Sequence, residues 1–138
     1  DARKSRGLGD VYKRQMKFPK RRQEVATEFG YPMYAEGLRR AIEFLAPLNV
    51  PIEITENGVA DAEDTLRTEH LRRHLWVLSN AVKDGHDVRS YHHWSLMDNF
   101  EWAEGYTMRF GLHRVDFNTQ ERTLRSSGEV YRRIVNEH

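Results

Sequence analysis

Cysteine is absent from this sequence, and its absence excludes two kinds of chemistry. No disulfide framework can form, and no thiolate is available as a nucleophile or a metal ligand. Long apolar runs are also missing, since none approaches the roughly 20 residues that a membrane-spanning helix requires. No apolar stretch follows the basic N-terminus, so the pattern of a secretory signal is absent as well. We therefore expect a cytoplasmic protein that does not enter a membrane.

The net charge of +1 conceals an uneven distribution of charge along the chain. Residues 1–22 contain nine Lys and Arg residues against two acidic ones, which leaves residues 23–138 with a net charge of −6. A basic arm of this kind can bind nucleic acid. Few aromatic residues are interleaved with these cations, so we expect no nucleic-acid partner. Residues 1–15 share no pattern with the sequence that follows, and we interpret them as a non-native-looking or disordered leader.

The spacing of apolar residues predicts helices that alternate with strands. Helices are expected at about residues 35–45, 68–83 and 127–135, strands at 51–55 and 88–96, a short hairpin at 109–117, and a loop at 16–34. In the second helix, Thr68 is the expected N-cap, and the expected buried stripe consists of Leu71, Leu75, Leu78 and Val82. This alternation favours an α/β fold with right-handed crossovers and a parallel sheet. Two strands cannot bury both faces of such a sheet or protect both of its edges. Residues 16–138 are therefore interpreted as a piece of one larger domain, incomplete as given.

The first candidate site lies at the end of the first predicted strand, in residues 51–58 (PIEITENG). The two isoleucines favour a buried strand, and Asn57 with Gly58 turns the chain after it. Glu56 thus carries a carboxylate at a strand end just before a turn, where parallel-sheet enzymes place their chemistry. The alternative is that Glu56 is a surface acid without a function.

The second candidate site follows the second predicted strand, in residues 94–106 (WSLMDNFEWAEGY). Indole rings can stack on the C–H face of a sugar, while carboxylates accept strong hydrogen bonds from its hydroxyl groups. The alternative is that Trp94, Phe100 and Trp102 belong to the core, because large aromatic side chains are mostly buried. Glu101 and Glu104 argue against a dry core, since unpaired carboxylates are costly there. The segment therefore indicates the lining of a sugar pocket.

Histidine pairs raise the question of a metal site, and the sequence argues against one. His70 and His74 are four residues apart on a predicted helix, which is the spacing of two ligands on one face. No third ligand is apparent, so we interpret both as solvated helix surface. His92 and His93 alternate across a strand and cannot point into one pocket, and His93 is expected in core or interface packing. We expect no metal and no other cofactor.

Several separated motifs resemble glycoside hydrolase family 1, the β-glucosidase family. Residues 54–58 (ITENG) resemble the nucleophile motif of the seventh barrel strand, and residues 94–102 (WSLMDNFEW) resemble the sugar-binding motif of the eighth. Residues 105–112 and 34–38 are similar to segments that flank these motifs in the family. The resemblance covers about residues 29–135, and the order and separation of the first two motifs make it specific.

The resemblance implies a fold, a reaction and a set of roles. The fold is a (β/α)8 TIM barrel, of which this chain holds the last two βα units, strands seven and eight with flanking helices. The reaction is retaining hydrolysis of terminal β-D-glycosyl residues, in which Glu56 attacks the anomeric carbon. Glu101 and Trp102 contact sugar hydroxyl groups, Trp94 stacks under the ring, and Phe110 shapes the pocket. The implied partner is a small β-glycoside or oligosaccharide, and the oligomeric state stays open.

One catalytic group that the resemblance requires is missing. The family places its acid/base glutamate in an Asn-Glu-Pro motif on strand four, and here Asn136 and Glu137 are followed by His138. Glu104 and Glu53 are not credible substitutes, because Glu53 is one step off the parity of Glu56. We therefore expect the 138-residue chain alone to be inactive, with the acid/base residue outside it.

The choice of substrate and the type of reaction also leave alternatives. Glu101 would repel a sugar phosphate, and residues 107–108 supply no lysine, so an unphosphorylated glucoside, galactoside or fucoside is expected. A sugar-binding fragment without catalysis and a transglycosylase on the same scaffold are the alternative functions. A sugar-binding fragment would have no use for the Glu56 carboxylate, whereas a transglycosylase would use it as the nucleophile.

Overall fold

The computed structural model describes residues 25–137 of the chain, so the predicted leader at 1–15 and the loop before residue 25 lie outside the described residues. The elements are α1 (Glu36–Leu45), β1 (Ile52–Asn57), α2 (Arg67–Lys83), β2 (Val88–His93), β3 (His113–Val115), β4 (Arg122–Leu124) and α3 (Ser126–Asn136), with short 3-10 turns at Ala46–Leu48 and Trp102–Glu104. The predicted order of helices and strands is confirmed. None of the helices within residues 25–137 has the length and apolar character to span a bilayer.

The two longer strands, β1 and β2, lie side by side and run parallel, as the alternation of elements predicts. Ile52 pairs with Val88 and Ile54 with Tyr91. These four side chains pack with apolar residues of α1 and α2, which are Leu38, Ile42, Leu75, Leu78 and Ala81. Burial of this shared core is the main favourable contribution to folding. Both strands consequently end on the same side of the core, which brings the two candidate segments to one edge of the sheet.

Strand β1 does not alternate regularly along its whole length. Its pairing with β2 shifts between Ile54 and Asn57, where three residue steps of β1 oppose two steps of β2. Thr55 and Glu56 are both exposed, although strict alternation would place them on opposite faces. Strict alternation would place Glu53 and Glu56 on opposite faces of the strand, but the irregularity between Ile54 and Asn57 breaks that alternation. Both carboxylates are exposed, away from the helix-facing side that Ile52 and Ile54 occupy.

The N-terminus of α2 is capped from a distance. Thr68 was the expected cap, but the helix begins at Arg67 and has no cap from a neighbouring side chain. The buried carboxylate of Asp61 instead accepts hydrogen bonds from the backbone N–H groups of Leu66 and Arg67, at 2.7 and 2.9 Å. Such bonds satisfy donors that have no partner inside the helix. The expected buried stripe is also corrected at Val82, which is exposed, because Ala81 faces the core.

The hairpin expected within residues 109–117 is wrong in its pairing. Only His113–Val115 is a strand there, and it pairs antiparallel with Arg122–Leu124. A turn at Asp116 joins the two, because the Asp116 carboxylate accepts the backbone N–H groups of Asn118 and Thr119. Apolar alternation in 109–117 identified the first strand, whereas the exposed second strand carries no such pattern.

The expected position of His70 and His74 on a solvated surface is also wrong. Both residues are 5 % exposed, and their rings stack with centroids 3.8 Å apart. Burial lowers the pKa of His70 to about 3, assisted by His74, His93 and the nearby Arg67. Burial also lowers the pKa of His93 to about 4, again with Arg67 as a neighbour. His93 packs near Tyr131, with ring centroids 5.8 Å apart, in line with the packing role expected for it.

The lowered pKa values of His70 and His93 predict a loss of stability in acid. The unfolded chain binds protons at a pKa of about 6.5, above the folded values, so stability is full above that pH and falls as pH drops towards 4. In that window, His70 and His93 should each change the free energy of unfolding by about 1.4 kcal/mol per pH unit. Urea unfolding at a series of pH values measures the slope.

A matched pair of variants isolates this effect. His93→Gln should reduce the slope, whereas His92→Gln on the exposed face of the same strand should leave it unchanged. Equal slopes in the two variants would contradict the assignment.

Candidate active site

The ends of β1 and β2 are in direct contact. The backbone N–H of Trp94 donates to the carbonyl oxygen of Asn57 at 3.0 Å, one residue after Glu56. A Cβ atom at Gly58 would overlap the carbonyl oxygen of Trp94, so only glycine permits this approach. Glu56 and Trp94 therefore stand at adjacent strand ends, and the Glu56 side chain is exposed.

Trp94 and Glu101 are linked through their side chains. The indole Nε1–H of Trp94 donates to Oε1 of Glu101 at 3.1 Å. The backbone N–H of Glu101 also donates to the carbonyl oxygen of Gly105 at 2.6 Å, which closes the loop that carries the carboxylate. A carboxylate accepts several hydrogen bonds, so this contact leaves Glu101 with capacity for further donors.

Trp102 stands out by its exposure and its backbone. Its side chain is 82 % exposed, although tryptophan usually buries most of its surface. Its φ of 48° lies in the left-handed region, which is costly for a bulky residue and is found preferentially at functional sites. Core packing, the alternative considered for this residue, is therefore excluded within the chain as described.

Phe110 connects to the same region through its backbone. Its carbonyl oxygen accepts the backbone N–H of Ser95 at 3.2 Å. Its half-buried ring lies 6.1 Å from that of Phe29 and lines a cavity of about 100 Å³ together with Gly58 and His70. The structure thus brings Phe110 close to the residue that follows Trp94.

Asp98 holds the whole segment after β2 in place, and sequence reasoning did not assign it a role. Its buried carboxylate accepts the backbone N–H groups of Gly111 at 2.9 Å and Val115 at 3.2 Å. The guanidinium of Arg125 donates to both carboxylate oxygens, at 2.9 and 3.2 Å. The two side chains are 0 % and 7 % exposed. An acidic residue among apolar ones was the only sequence signal for this role, and its partner Arg125 lies 27 residues further along the chain.

A second buried guanidinium, that of Arg67, connects α2 to the loop that precedes Phe110. Arg67 is fully buried and donates to the carbonyl oxygens of Asp61 at 2.6 Å and Arg109 at 2.8 Å. It also pairs with Asp64, whose carboxylate accepts the backbone N–H of Ser127 at the start of α3. Arg109 directly precedes Phe110, so this contact fixes the backbone next to the candidate pocket.

The part of the chain that the structure describes contains no set of metal ligands. No group of three or more His, Asp or Glu side chains there could hold a metal ion. The groups present at the strand ends are two carboxylates, those of Glu56 and Glu101, beside indole rings.

The amino-acid sequence that carries these segments matches one known protein family. The family model described as glycosyl hydrolase family 1 matches residues 4–138. The chain belongs to glycosyl hydrolase family 1. Among solved structures, a hyperthermophilic β-glucosidase from Pyrococcus furiosus shares 50 % sequence identity with a TM-score of 0.81, covering 83 % of this chain and 24 % of that one.

Curated relatives show the same partial coverage. A β-galactosidase of Pyrococcus woesei is 42 % identical over 110 residues, which are 79 % of this chain and 22 % of that protein. A β-glucosidase of an Agrobacterium species is 42 % identical over 118 residues, which are 78 % and 26 %. The chain thus spans about a quarter of the relatives it matches. The family and its solved structures imply a TIM barrel, of which this chain forms a part.

The buried pair of Asp98 and Arg125 predicts a large loss of stability when one partner is removed. Arg125→Leu leaves the Asp98 carboxylate buried without its cation, which should lower the free energy of unfolding by about 3–5 kcal/mol. Urea unfolding followed by circular dichroism measures the change.

The exposed pair of Arg89 and Asp87 provides the control. Arg89→Leu removes a guanidinium with equally short contacts to its carboxylate, but water replaces them at little cost. A shift of the urea midpoint that is as small for Arg125→Leu as for Arg89→Leu would contradict a stabilising role for the buried pair.

Proposed function

We propose that this chain supplies the nucleophile and the sugar-binding wall of a retaining β-glycosidase, as strands seven and eight of its barrel. The observation that carries the proposal is the contact between the ends of β1 and β2. It sets the exposed Glu56 beside the Trp94–Glu101 pair, and both lie on one edge of the sheet. Active sites of TIM barrels lie at this edge, where the strands have their carboxyl ends.

In the proposed reaction, the carboxylate of Glu56 attacks the anomeric carbon and expels the leaving group. A second carboxyl group protonates the leaving oxygen, then activates the water that releases the sugar from Glu56. In retaining enzymes the two groups stand roughly 5 Å apart. No Asn-Glu-Pro motif is present here, so the second group comes from another part of the barrel.

The sugar-binding wall is proposed to consist of Trp94, Glu101, Trp102 and Phe110. The indole of Trp94 is fixed by its bond to Glu101, so its face is oriented before a sugar binds. Pre-oriented groups lose little conformational entropy on binding, which favours affinity. The remaining acceptor capacity of Glu101 suits sugar hydroxyl groups, because hydrogen bonds to a carboxylate are the stronger kind.

The proposed substrate class is an unphosphorylated β-glycoside. An anion at Glu101 disfavours a phosphorylated sugar, since like charges repel. Names of similar proteins include both a β-glucosidase and a β-galactosidase, so we propose glucosides and galactosides as the first substrates to assay.

A complete barrel that carries this sequence tests the proposal. In this grafted barrel, residues 25–137 replace the matching quarter of the Pyrococcus furiosus β-glucosidase. We expect the grafted barrel to hydrolyse nitrophenyl β-glucoside, and Glu56→Ala to lower kcat by roughly 10³-fold or more, because the attacking group is lost. Added azide, a small nucleophile, should restore turnover of Glu56→Ala as an α-glycosyl azide.

Two controls accompany this experiment. Glu69→Ala removes an exposed carboxylate from the surface of α2 and should retain activity. The 138-residue chain alone should give no turnover, because it lacks the acid/base group. Activity of Glu56→Ala equal to that of Glu69→Ala would refute the assignment of the nucleophile.

The role of Glu101 is tested by its amide. In the grafted barrel, Glu101→Gln should lower kcat/KM about 10-fold to 100-fold, since a hydrogen bond to a charged group contributes about 1.5–3 kcal/mol. Glu104→Gln, an acid in the same loop, is the matched control and should change kcat/KM little. Steady-state kinetics with the nitrophenyl glucoside decide the point; equal losses in both variants would argue against a sugar contact at Glu101.

A further inference from the structure

A half-buried tyrosine reaches the strand end next to the proposed nucleophile. The hydroxyl group of Tyr91, on β2, donates to Oδ1 of Asn57 at 3.0 Å. The carbonyl oxygen of Asn57 meanwhile accepts the backbone N–H of Trp94. Asn57, the residue after Glu56, is therefore held at two points. Tyr91 of β2 binds its side chain, and Trp94, just after β2, binds its backbone.

This attachment falls at the irregular part of β1. The pairing shift between Ile54 and Asn57 leaves Thr55 and Glu56 outside the regular register. Such irregularities re-aim side chains near active sites, and they need contacts at their ends to fix one geometry. The bond from Tyr91 is such a contact, because it holds the residue where pairing resumes.

The surroundings of Tyr91 keep its hydroxyl group in place as a donor. Tyr91 packs in the core formed with Ile52 and Ile54, and its ring centroid lies 6.4 Å from that of Tyr131 on α3. Burial, with Tyr131 as a minor contributor, raises the pKa of Tyr91, so the phenol stays protonated at neutral pH. A ring fixed by core packing can hold Asn57 with little freedom.

We propose that Tyr91 is a positioning residue for Glu56, acting through its hydrogen bond to Asn57 at the end of β1. The inference rests on the proposed function, in which Glu56 must meet the anomeric carbon at a defined distance and angle. Small displacements of a reacting group slow the chemical step while substrate contacts elsewhere persist. Loss of the bond should therefore reduce kcat and leave KM nearly unchanged.

The grafted barrel also serves this test. Tyr91→Phe removes one oxygen and keeps the ring, and it should lower kcat about 10-fold or more with KM within about twofold of the parent. The rate at which a 2-deoxy-2-fluoro glucoside labels Glu56 should fall by the same factor, because that reaction reports the attack by Glu56 alone. Tyr131→Phe is the matched control, since it removes a hydroxyl group from the neighbouring ring without reaching Asn57.

A double-mutant cycle separates positioning from a general structural effect. Asn57→Ala deletes the acceptor and should lower kcat by a similar factor, and adding Tyr91→Phe to it should then have no further effect. Losses that multiply in the double variant would overturn the inference. So would a kcat of Tyr91→Phe equal to that of Tyr131→Phe.

The two proposals fail in different ways. A folded grafted barrel without activity would overturn the proposed function and this inference with it. An active grafted barrel that depends on Glu56 but not on Tyr91 would overturn the inference and leave the proposed function intact.

Discussion

The arrangement of the site depends on one buried ion pair. Asp98 lies four residues after Trp94 and three before Glu101, and its carboxylate binds Arg125, Gly111 and Val115 at once. Because removing either partner would leave an uncompensated charge at this depth, the carboxylate and the guanidinium require each other. The loop between Trp94 and Glu101 is consequently tied at its middle to the segment before α3. This tie fixes the loop that carries Glu101, while the backbone hydrogen bond from Trp94 to Asn57 fixes the start of that loop against the strand end that carries Glu56.

A second set of buried charges extends the same principle to the other side of the site. Asp61 caps α2, while Arg67 and Asp64 join the start of α2 to the start of α3 and to the backbone before Phe110. The conformation of these loops is thus fixed by buried charged groups that each make several hydrogen bonds, rather than by apolar burial. This would suit the proposed catalytic edge, where apolar side chains would compete with the substrate for the open surface.

Much of this architecture could be predicted from the sequence, because it is local. Apolar spacing located α1, α2 and both long strands, and alternation of the elements predicted their parallel pairing. The failures involve partners distant in the chain. Thr68 has the character of a cap, but Asp61 reaches the helix first across a loop; His70 and His74 have the spacing of a surface pair, but tertiary packing buries them. Strand β4 is exposed throughout, so it has no apolar signal to read. Glu56, Trp94 and Glu101 could be singled out because the motifs that carry them are contiguous, whereas Arg125 and Tyr91 act across the fold.

The polar face of the two-stranded sheet has a consequence for the completed barrel. Glu53 and Thr55 of β1 and His92 of β2 are exposed, while the isoleucines face the helices. In the proposed barrel, that polar face would turn inward and become surrounded by other strands. The lumen beneath the site would then contain a carboxylate in place of the branched apolar layers common in such barrels. A charge enclosed there needs a counter-charge or several donors, so the strands opposite Glu53 must provide them.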